Sequence, residues 1–159
     1  MSPYLAGLRA VVGSRLLLMP AVTGLVFDER GRLLVALHAD TGLWAPPGGA
    51  VDPDERPVDA LVRELREEVG AEVEVLGIVG VYGGPEFRTV YPNGHEMAYV
   101  NAAYGCRVLS EVTPDRVEID QVRWVTEEEA AGLDMPAWSP HVLPEAFAWW
   151  AARNGRISR

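Results

Sequence analysis

The order of apolar and polar positions along the chain predicts strands and helices in mixed succession. Apolar runs bounded by turn residues indicate strands, whereas apolar positions that recur every three or four residues indicate helices. Strands are predicted over residues 21–27, 33–37, 72–82, 87–91, 96–109 and 119–125. Because strands and helices do not alternate strictly, the pattern favours an α/β sandwich around a mixed β-sheet.

A helix is predicted near each end of the chain. Residues 1–19 hold the first helix and its lead-in, and residues 138–154 hold the last, which is expected to stop at Asn154-Gly155. No linker or repeat separates them, so residues 1–159 are predicted to form one domain. Apolar residues in both helices suggest a homodimer contact, although core packing explains them equally well. They are Leu5, Leu8, Val11, Val12, Trp138, Trp149 and Trp150.

A helix predicted over residues 57–69 has one apolar face and one acidic face. Its apolar side chains are Val58, Leu61, Val62, Leu65 and Val69. Glu64, Glu67 and Glu68 are spaced three and four residues apart, so their carboxylates lie together. These charges repel one another, and two of them lie in the last turn, where the helix dipole disfavours anions. An acidic helix face is usually only a solvated surface, but a bound Mg²⁺ or Mn²⁺ would remove both penalties.

Composition and charge narrow the classes of function. The chain is 48% hydrophobic and 23% charged, as folded proteins are, and its net charge of −9 argues against a surface that wraps duplex nucleic acid. Its basic side chains are all arginines, so any phosphate clamp must use arginine. Cys106 is the only cysteine, which excludes an intrachain disulfide and fits a cytoplasmic location. The apolar stretch 15–27 is too short to span a membrane and is predicted to be a buried strand, not a secretion signal.

The acidic helix and the loop before it carry a motif. The segment resembles the Nudix box, G-x5-E-x7-R-E-U-x-E-E-x-G-U, in which U is a bulky aliphatic residue. The matching residues are Gly49, Glu55, Arg63, Glu64, Leu65, Glu67, Glu68 and Gly70. Ala71 replaces the last aliphatic residue, and Pro46 replaces the usual leucine before Pro-Gly-Gly; neither is a catalytic position. The resemblance implies a Nudix-type α/β/α sandwich and a hydrolase that splits a phosphoanhydride bond in a nucleoside diphosphate linked to another group.

The resemblance also implies roles for particular residues. The implied ligands of Mg²⁺, or alternatively Mn²⁺, are Glu64, Glu67 and Glu68. Arg63 and Glu55 would position these glutamates, Arg63 more as a structural ion pair than as a substrate contact. Gly48 and Gly49 would let the backbone pass close to metal or phosphate. The metal would activate a water for in-line attack on phosphorus, and a carboxylate would take its proton.

The proton acceptor and the substrate are less well defined. Outside the box, the candidate acceptors are Glu118 first, then Glu96 and Glu111. A nucleobase could stack on an aromatic side chain and Arg88 could bind a phosphate, although lone aromatics more often serve the core. The candidate aromatics are Trp44, Tyr82 and Tyr91. Pro85 lies one residue out of register with a proline of ADP-ribose-cleaving members. Nucleoside triphosphates, dinucleoside polyphosphates, ADP-ribose and nucleotide sugars all stay open.

Two other functions compete with the hydrolase. A Nudix-like sensor would bind a nucleotide without cleaving it, but such proteins typically lose box glutamates or add a DNA-binding domain, and this chain does neither. A structural or interaction protein would use the acidic helix only as a solvated face, and neither its stability nor any activity would depend on metal. Metal dependence therefore separates the hydrolase from the structural protein, and turnover separates it from the sensor.

Overall fold

The computed structural model describes residues 1–157, which form eight strands, four α-helices and one short 3-10 helix. In chain order these are α1 (Pro3–Val12), β1 (Leu17–Phe27), β2 (Leu33–His38), β3 (Trp44–Ala45), β4 (Gly48–Ala50), α2 (Pro57–Val69), β5 (Val73–Tyr82), the 3-10 helix (Pro85–Phe87), β6 (Arg88–Val90), β7 (Glu96–Val108), β8 (Ile119–Val125), α3 (Glu127–Ala131) and α4 (Ser139–Ile157). The predicted mixture of strands and helices is confirmed.

All eight strands join one mixed sheet. Its main path runs β3-β2-β1-β7-β5, with β4 paired to β1, β6 to β7 and β8 to β2. β1 and β7 are parallel along their length, from Leu17 opposite Met97 to Phe27 opposite Arg107, and the other pairs are antiparallel. β1 and β2 share only the register pair Phe27–Leu33. Beyond that pair, β4 pairs with β1 and β3 pairs with β2, so the segment 44–50 lies where these two strands diverge.

Two apolar cores lie on opposite faces of the sheet because side chains alternate along each strand. On one face, α2 packs over Val22, Val26, Leu34, Ala36 and Ile119. On the other face, α3 and α4 pack over Leu25, Phe27, Leu33, Val35 and Val125. The arrangement is an α/β/α sandwich around a mixed sheet, as predicted.

The α2 helix is rotated relative to its predicted amphipathic face. Leu61, Leu65 and Val69 are fully buried, as expected. Val58, however, is 39% exposed, and Glu68 takes a place on the buried side with 4% exposure. Apolarity alone predicted a stripe through Val58, but the helix instead turns its glutamates toward the glycine loop of β4. This rotation places a carboxylate inside the protein.

The terminal helices also differ from prediction in detail. Val11 was predicted to lie on an apolar face of α1 that contacts the core or a second subunit; it is 85% exposed, so it does not pack in the core of this chain, whereas Arg9 is buried. Arg9 donates to the carbonyl oxygens of Arg15 and Glu96 at 2.6 and 2.8 Å, so these hydrogen bonds set the rotation of α1. The predicted stop of α4 at Asn154-Gly155 is wrong, since the helix continues to Ile157. A glycine lowers helix propensity by only about 1 kcal/mol and does not force an end.

Most of the apolar stretch 15–27, which was compared with a secretion signal, forms strand β1. β1 begins at Leu17, four residues before the predicted start of the first strand, and its second half is buried. Trp150 stacks on Phe27 of this strand with ring centroids 4.6 Å apart, so this tryptophan serves the core. Among residues 1–157, no helix has the length and apolarity needed to cross a membrane.

Candidate catalytic and metal-binding site

The loop that joins β3 to β4 brings two glycines against the sheet and against α2. A side chain at Gly48 would place its Cβ 2.1 Å from the carbonyl oxygen of Val22. A Cβ at Gly49 would lie 2.4 Å from Oε1 of Glu64. At Gly48 the obstacle is backbone, so this position requires glycine, whereas at Gly49 it is the carboxylate of Glu64, which would have to move. The backbone at Gly48-Gly49 thus lies directly on the carboxylate face of α2.

Buried Glu68 and half-buried Glu64 form a pair of neighbouring carboxylates beside these glycines. The Gly48 N–H donates to Oε2 of Glu68 at 3.2 Å. Burial raises the pKa of Glu68 to about 9, and the nearby Glu64 charge adds to the increase. Burial likewise raises the pKa of Glu64, against the opposing effect of Arg63. Two neighbouring carboxyl groups whose pKa values are both raised would ionise more readily beside a bound cation.

Arg63 holds the acidic loop and helix together. Its guanidinium donates to both carboxylate oxygens of Glu55, at 2.7 and 3.0 Å, and to Oε1 of Glu64 at 2.9 Å. The Glu55 hydrogen bond is the largest cause that raises the pKa of Arg63, and the same bond lowers the pKa of Glu55. Arg63 also reaches the carbonyl oxygen of Ala50 at 3.3 Å. One guanidinium thus links Glu55, Glu64 and the backbone of the acidic loop.

Glu67 differs from Glu64 and Glu68 in its exposure to solvent. Its side chain is 61% exposed and accepts a 3.3 Å hydrogen bond from Arg63. Within the described residues, no three His, Cys, Asp or Glu side chains already converge on a point where they could hold a metal ion. The donor chemistry still fits a hard divalent cation, because Glu64 and Glu68 offer carboxylate oxygens and the charge of Glu64 opposes the ionisation of Glu68. Glu67 would join them by turning away from Arg63.

The loop 109–118 packs against the end of α2 and brings Glu118 toward the pair. Asp115 organises this loop: its Oδ1 accepts the backbone N–H groups of Val117, Glu118 and Ile119 at 2.9 to 3.0 Å. The Asp115 N–H in turn donates to the carbonyl oxygen of Glu68 at 2.9 Å. The charge of Glu118 contributes to the raised pKa of both Glu64 and Glu68, which places it within electrostatic range of the pair. Glu118 therefore remains the foremost acceptor candidate.

Asp115 and His38 were not singled out from the sequence. An Asp followed by residues with free N–H groups is a signal for an Asx-type turn, but its contact with α2 is tertiary. His38 follows Leu34 and Ala36 on the α2-facing side of β2, and its Nε2 is buried without a hydrogen-bond partner. Burial lowers its pKa, although the charges of Asp40 and Glu118 and the Ala45 carbonyl act in the opposite direction.

The remaining acidic and basic candidates lie outside this loop–helix unit. Arg88 and Glu96 pair with each other across β6 and β7, with a nitrogen–oxygen distance of 2.7 Å and both side chains exposed. Glu111 is exposed at the start of the 109–118 loop. The outside charges that raise the pKa of Glu68 are those of Glu118 and Asp115, which favours Glu118 over Glu96 and Glu111.

The aromatic candidates all have partners within the chain. Tyr82 donates its hydroxyl to Glu145 and stacks on Phe87, which stacks in turn on Trp138. The hydroxyl of Tyr91 lies 2.6 Å from that of Tyr99. Arg123 lies over the ring of Trp44, 5.0 Å from its centroid. Pro85 begins the 3-10 helix between β5 and β6. None of these side chains contacts the carboxylate pair directly, and the structure adds no direct support for a base-stacking role.

Comparison with known proteins places this site in a family. A sequence model of the NUDIX domain matches residues 17–146. A MutT-like protein of Streptomyces ambofaciens is 33% identical over 111 residues, which are 70% of this chain and 66% of that protein. The nucleoside triphosphatase NudI of Klebsiella pneumoniae is 30% identical over 123 residues, 73% of this chain and 87% of that protein. A putative 8-oxo-dGTP diphosphatase of Bacillus subtilis is 39% identical over 64 residues, which are 40% of this chain and 43% of its own length. The matches to the Streptomyces and Bacillus proteins thus span less than two thirds of those proteins.

Solved structures agree on the fold. The MutT protein of Methanosarcina mazei superposes with a TM-score of 0.63 at 23% identity, covering 86% of this chain and 95% of that one. A UDP-X diphosphatase superposes with a TM-score of 0.67 at 14% identity, covering 96% and 72%. At such identities the likeness concerns the fold alone. Since the family model covers most of the chain and the residues of the box are present at the required spacing, this protein is a member of the Nudix hydrolase family.

Proposed function

We propose that the protein hydrolyses a phosphoanhydride bond in a nucleoside diphosphate linked to another group, with Mg²⁺ as its metal and Mn²⁺ as a substitute. The observation that carries the proposal is the carboxylate of buried Glu68 beside that of half-buried Glu64, next to the Gly48-Gly49 backbone. Ionising a buried carboxyl group beside a second carboxylate costs stability and serves no packing purpose. A divalent cation with an anionic diphosphate offsets that cost, which gives the arrangement a function.

Different residues would have different roles in such a site. Glu64 and Glu68 would hold the cation, and Glu67 would add a third carboxylate. When bound, the cation supplies charge neutralisation of the diphosphate oxygens and activation of the attacking water. Arg63 keeps Glu64 in place through its hydrogen bond while it is itself held by Glu55.

Glu118 is the proposed proton acceptor. Its side chain is exposed, its charge reaches Glu64 and Glu68, and its backbone is held by Asp115. A carboxylate on a loop that is anchored to α2 can take the proton of the attacking water without leaving the neighbourhood of the metal ligands. Glu96 is less suited to this role because its carboxylate is engaged by Arg88.

Among substrates, nucleoside triphosphates come first. The NudI protein, named as a nucleoside triphosphatase, matches this chain over most of both lengths. The ADP-ribose pyrophosphatase of Streptococcus suis is 21% identical, and that likeness concerns the fold alone. The net charge of −9 speaks against an extended polynucleotide as substrate, since such ligands favour basic surfaces.

Turnover of a compound panel tests the proposal. Nucleoside triphosphates, dinucleoside polyphosphates, ADP-ribose and nucleotide sugars would be incubated with Mg²⁺ or with EDTA, and released products would be quantified. We expect one class to be cut only with metal, and Glu68→Gln to lower kcat by about 10²-fold or more. Glu111→Gln, a matched change of an exposed glutamate, should keep wild-type kcat. Nucleotide binding without cleavage of any compound would instead identify a sensor.

A further inference from the structure

Five exposed aliphatic side chains cluster on β1, β5, β6 and β7. They are Leu18 (70% exposed), Ile78 (49%), Val81 (63%), Val90 (66%) and Val100 (45%). Soluble monomers expose single apolar side chains commonly, but contiguous apolar patches usually mark an interaction site. We call this group of five residues the open sheet face.

Strand register shows that all five point to the same side of the sheet. Ile78 and Val81 lie opposite Tyr104 and Ala102, and both of those partners pack toward the α2 core. Residues directly opposite one another on paired strands share a face, as do residues two apart on one strand. Val100 is two residues from Ala102 and therefore joins them.

The same reasoning extends the face to β1 and β6. Leu18 is four residues before Val22, which is part of the α2 core, and it lies opposite Ala98 of β7. Val90 lies opposite Glu96, two residues before Ala98. The open sheet face is therefore one continuous surface across four strands.

Helix α4 covers these strands on the other side only. Trp149 packs so closely that a Cβ at Gly105 would lie 2.2 Å from its ring, and one at Gly77 would lie 3.4 Å from it. On the α2 side, the helix covers β1, β2 and β8 through Leu61 and Leu65 but stops short of the five aliphatic side chains. Within residues 1–157, these aliphatic side chains stay open to solvent.

Charge indicates what kind of partner fits. The charged side chains assigned to this surface by register are Arg88 and Glu96, which form a 2.7 Å ion pair with each other. These two charges on the strands cancel, so the strands of a second copy can approach here without like-charge repulsion between the paired groups. Register shifts at Val75–Gly77 and Ile78–Gly80 distort β5, which disfavours pairing through its edge. Contact between two copies is therefore favoured face to face.

We propose that the open sheet face is the interface of a two-fold homodimer. A surface whose aliphatic side chains project from neighbouring strands, and whose two strand charges cancel, can pack against its own copy, as isologous dimers require. The proposal does not depend on the proposed catalytic function. It also assigns the contact to the sheet, in place of the tryptophans near the C-terminus, of which Trp149 and Trp150 are used in packing α4.

Sedimentation velocity over a wide concentration range tests the interface. We expect the wild-type mass to rise with concentration from 17.4 kDa to about twice that value. Val81→Asp should weaken the dimer by about a hundredfold or more, because a two-fold contact buries each introduced charge twice. Leu109→Asp is the matched control, since Leu109 is 62% exposed but lies beyond the end of β7, and it should leave the dimer unchanged.

A second measurement guards against a folding defect in the charged variant. Val100→Cys and Leu109→Cys each add one surface thiol to a chain whose own cysteine, Cys106, is buried. In the dimeric concentration range, the thiol at position 100 should react with a maleimide much more slowly than the thiol at position 109. A wild type that stays monomeric at all concentrations would overturn the proposal. So would a dimer in which position 100 stays as reactive as position 109, or one that Val81→Asp leaves intact while the variant melts like wild type.

Discussion

At the scale of single residues, Glu68 is a carboxyl group in a position where burial lowers stability and where the proposed function needs a metal ligand. It is 4% exposed, it lies on the packing side of α2 among aliphatic residues, and its polar contact is the Gly48 N–H. A residue chosen for stability at this place would be apolar. Because burial and Glu64 raise its pKa to about 9, the folded protein without metal binds a proton that the unfolded chain releases near 4.5. Folding is therefore coupled to the protonation of Glu68.

This coupling predicts how stability depends on pH. The folded-state pKa of Glu68 lies above the unfolded value, so its protonated form favours folding below 4.5, and that advantage is lost as pH rises toward 9. In EDTA, the free energy of unfolding should fall with rising pH, at up to about 1.4 kcal/mol per pH unit for one proton. Glu68→Gln should flatten this slope in urea titrations. Glu67→Gln, a matched change at an exposed side chain, should preserve it; equal slopes for wild type and Glu68→Gln would contradict the assignment.

At the scale of elements, the proposed site is built from α2 together with the loop before it. The loop has few apolar side chains to bury, so its position depends on polar contacts. Arg63 supplies them by binding Glu55, Glu64 and the Ala50 carbonyl from one planar group. On the far side, the 109–118 loop closes the helix end through the Asp115 N–H on the Glu68 carbonyl. Two acidic residues therefore contact α2 from opposite sides in the sequence: Glu55 precedes the helix and Asp115 follows it.

Replacing Arg63 by lysine should loosen this unit. Lysine keeps the charge but cannot donate in parallel to both oxygens of Glu55 and to Glu64. We expect Arg63→Lys to lower kcat about 10- to 100-fold and to reduce the free energy of unfolding by about 1 kcal/mol. Arg66→Lys is the control, because the Arg66–Glu72 pair is also two-pronged but has side chains 58% and 53% exposed. It should change both quantities little; equal losses in the two variants would argue against a positioning role.

At the scale of the whole molecule, the site lies where the sheet divides. β1 and β2 part after a single register pair, and β3 and β4 fill the gap with the two glycines. Three separate chain segments then meet at the Glu64–Glu68 pair: the 44–50 segment, α2, and the 109–118 loop. A cation bound to this pair would tie all three together only when the protein is folded.

Metal should therefore stabilise the entire fold. A ligand that binds the folded state alone raises stability in proportion to the logarithm of its concentration over Kd. Millimolar Mg²⁺ or Mn²⁺ should raise the melting temperature of the wild type by a few degrees relative to EDTA, as followed by circular dichroism. A Glu64→Gln, Glu68→Gln double variant should melt at the same temperature with and without metal. A wild type that does not respond, even with a nonhydrolysable nucleotide present, would contradict the metal assignment.

The local pattern of residues in the sequence was sufficient to locate most helices and strands and to identify the motif. Apolar periodicity and turn residues located α2 within its observed bounds and most strands within a few residues, because these signals act over neighbouring positions. The spacing of Glu64, Glu67 and Glu68 identified the acidic face, since helix geometry alone relates residues three and four apart. Gly48 and Gly49 were identified from the motif, and both lie in close contact with neighbouring groups, Gly48 with the Val22 carbonyl and Gly49 with the Glu64 carboxylate.

Tertiary structure decided how these parts meet. The orientation of α2 on the sheet leaves Glu68 buried and Val58 exposed. The sequence did not predict this, because burial depends on what packs against a residue and not on the polarity of that residue alone. The roles of Asp115 and Glu118 near α2 depend on a loop some fifty residues further along the chain. The extension of α4 to Ile157 and the open sheet face likewise follow from long-range packing and register. The sequence by itself determined the family chemistry, and the contacts between distant segments determined which side chains could perform it.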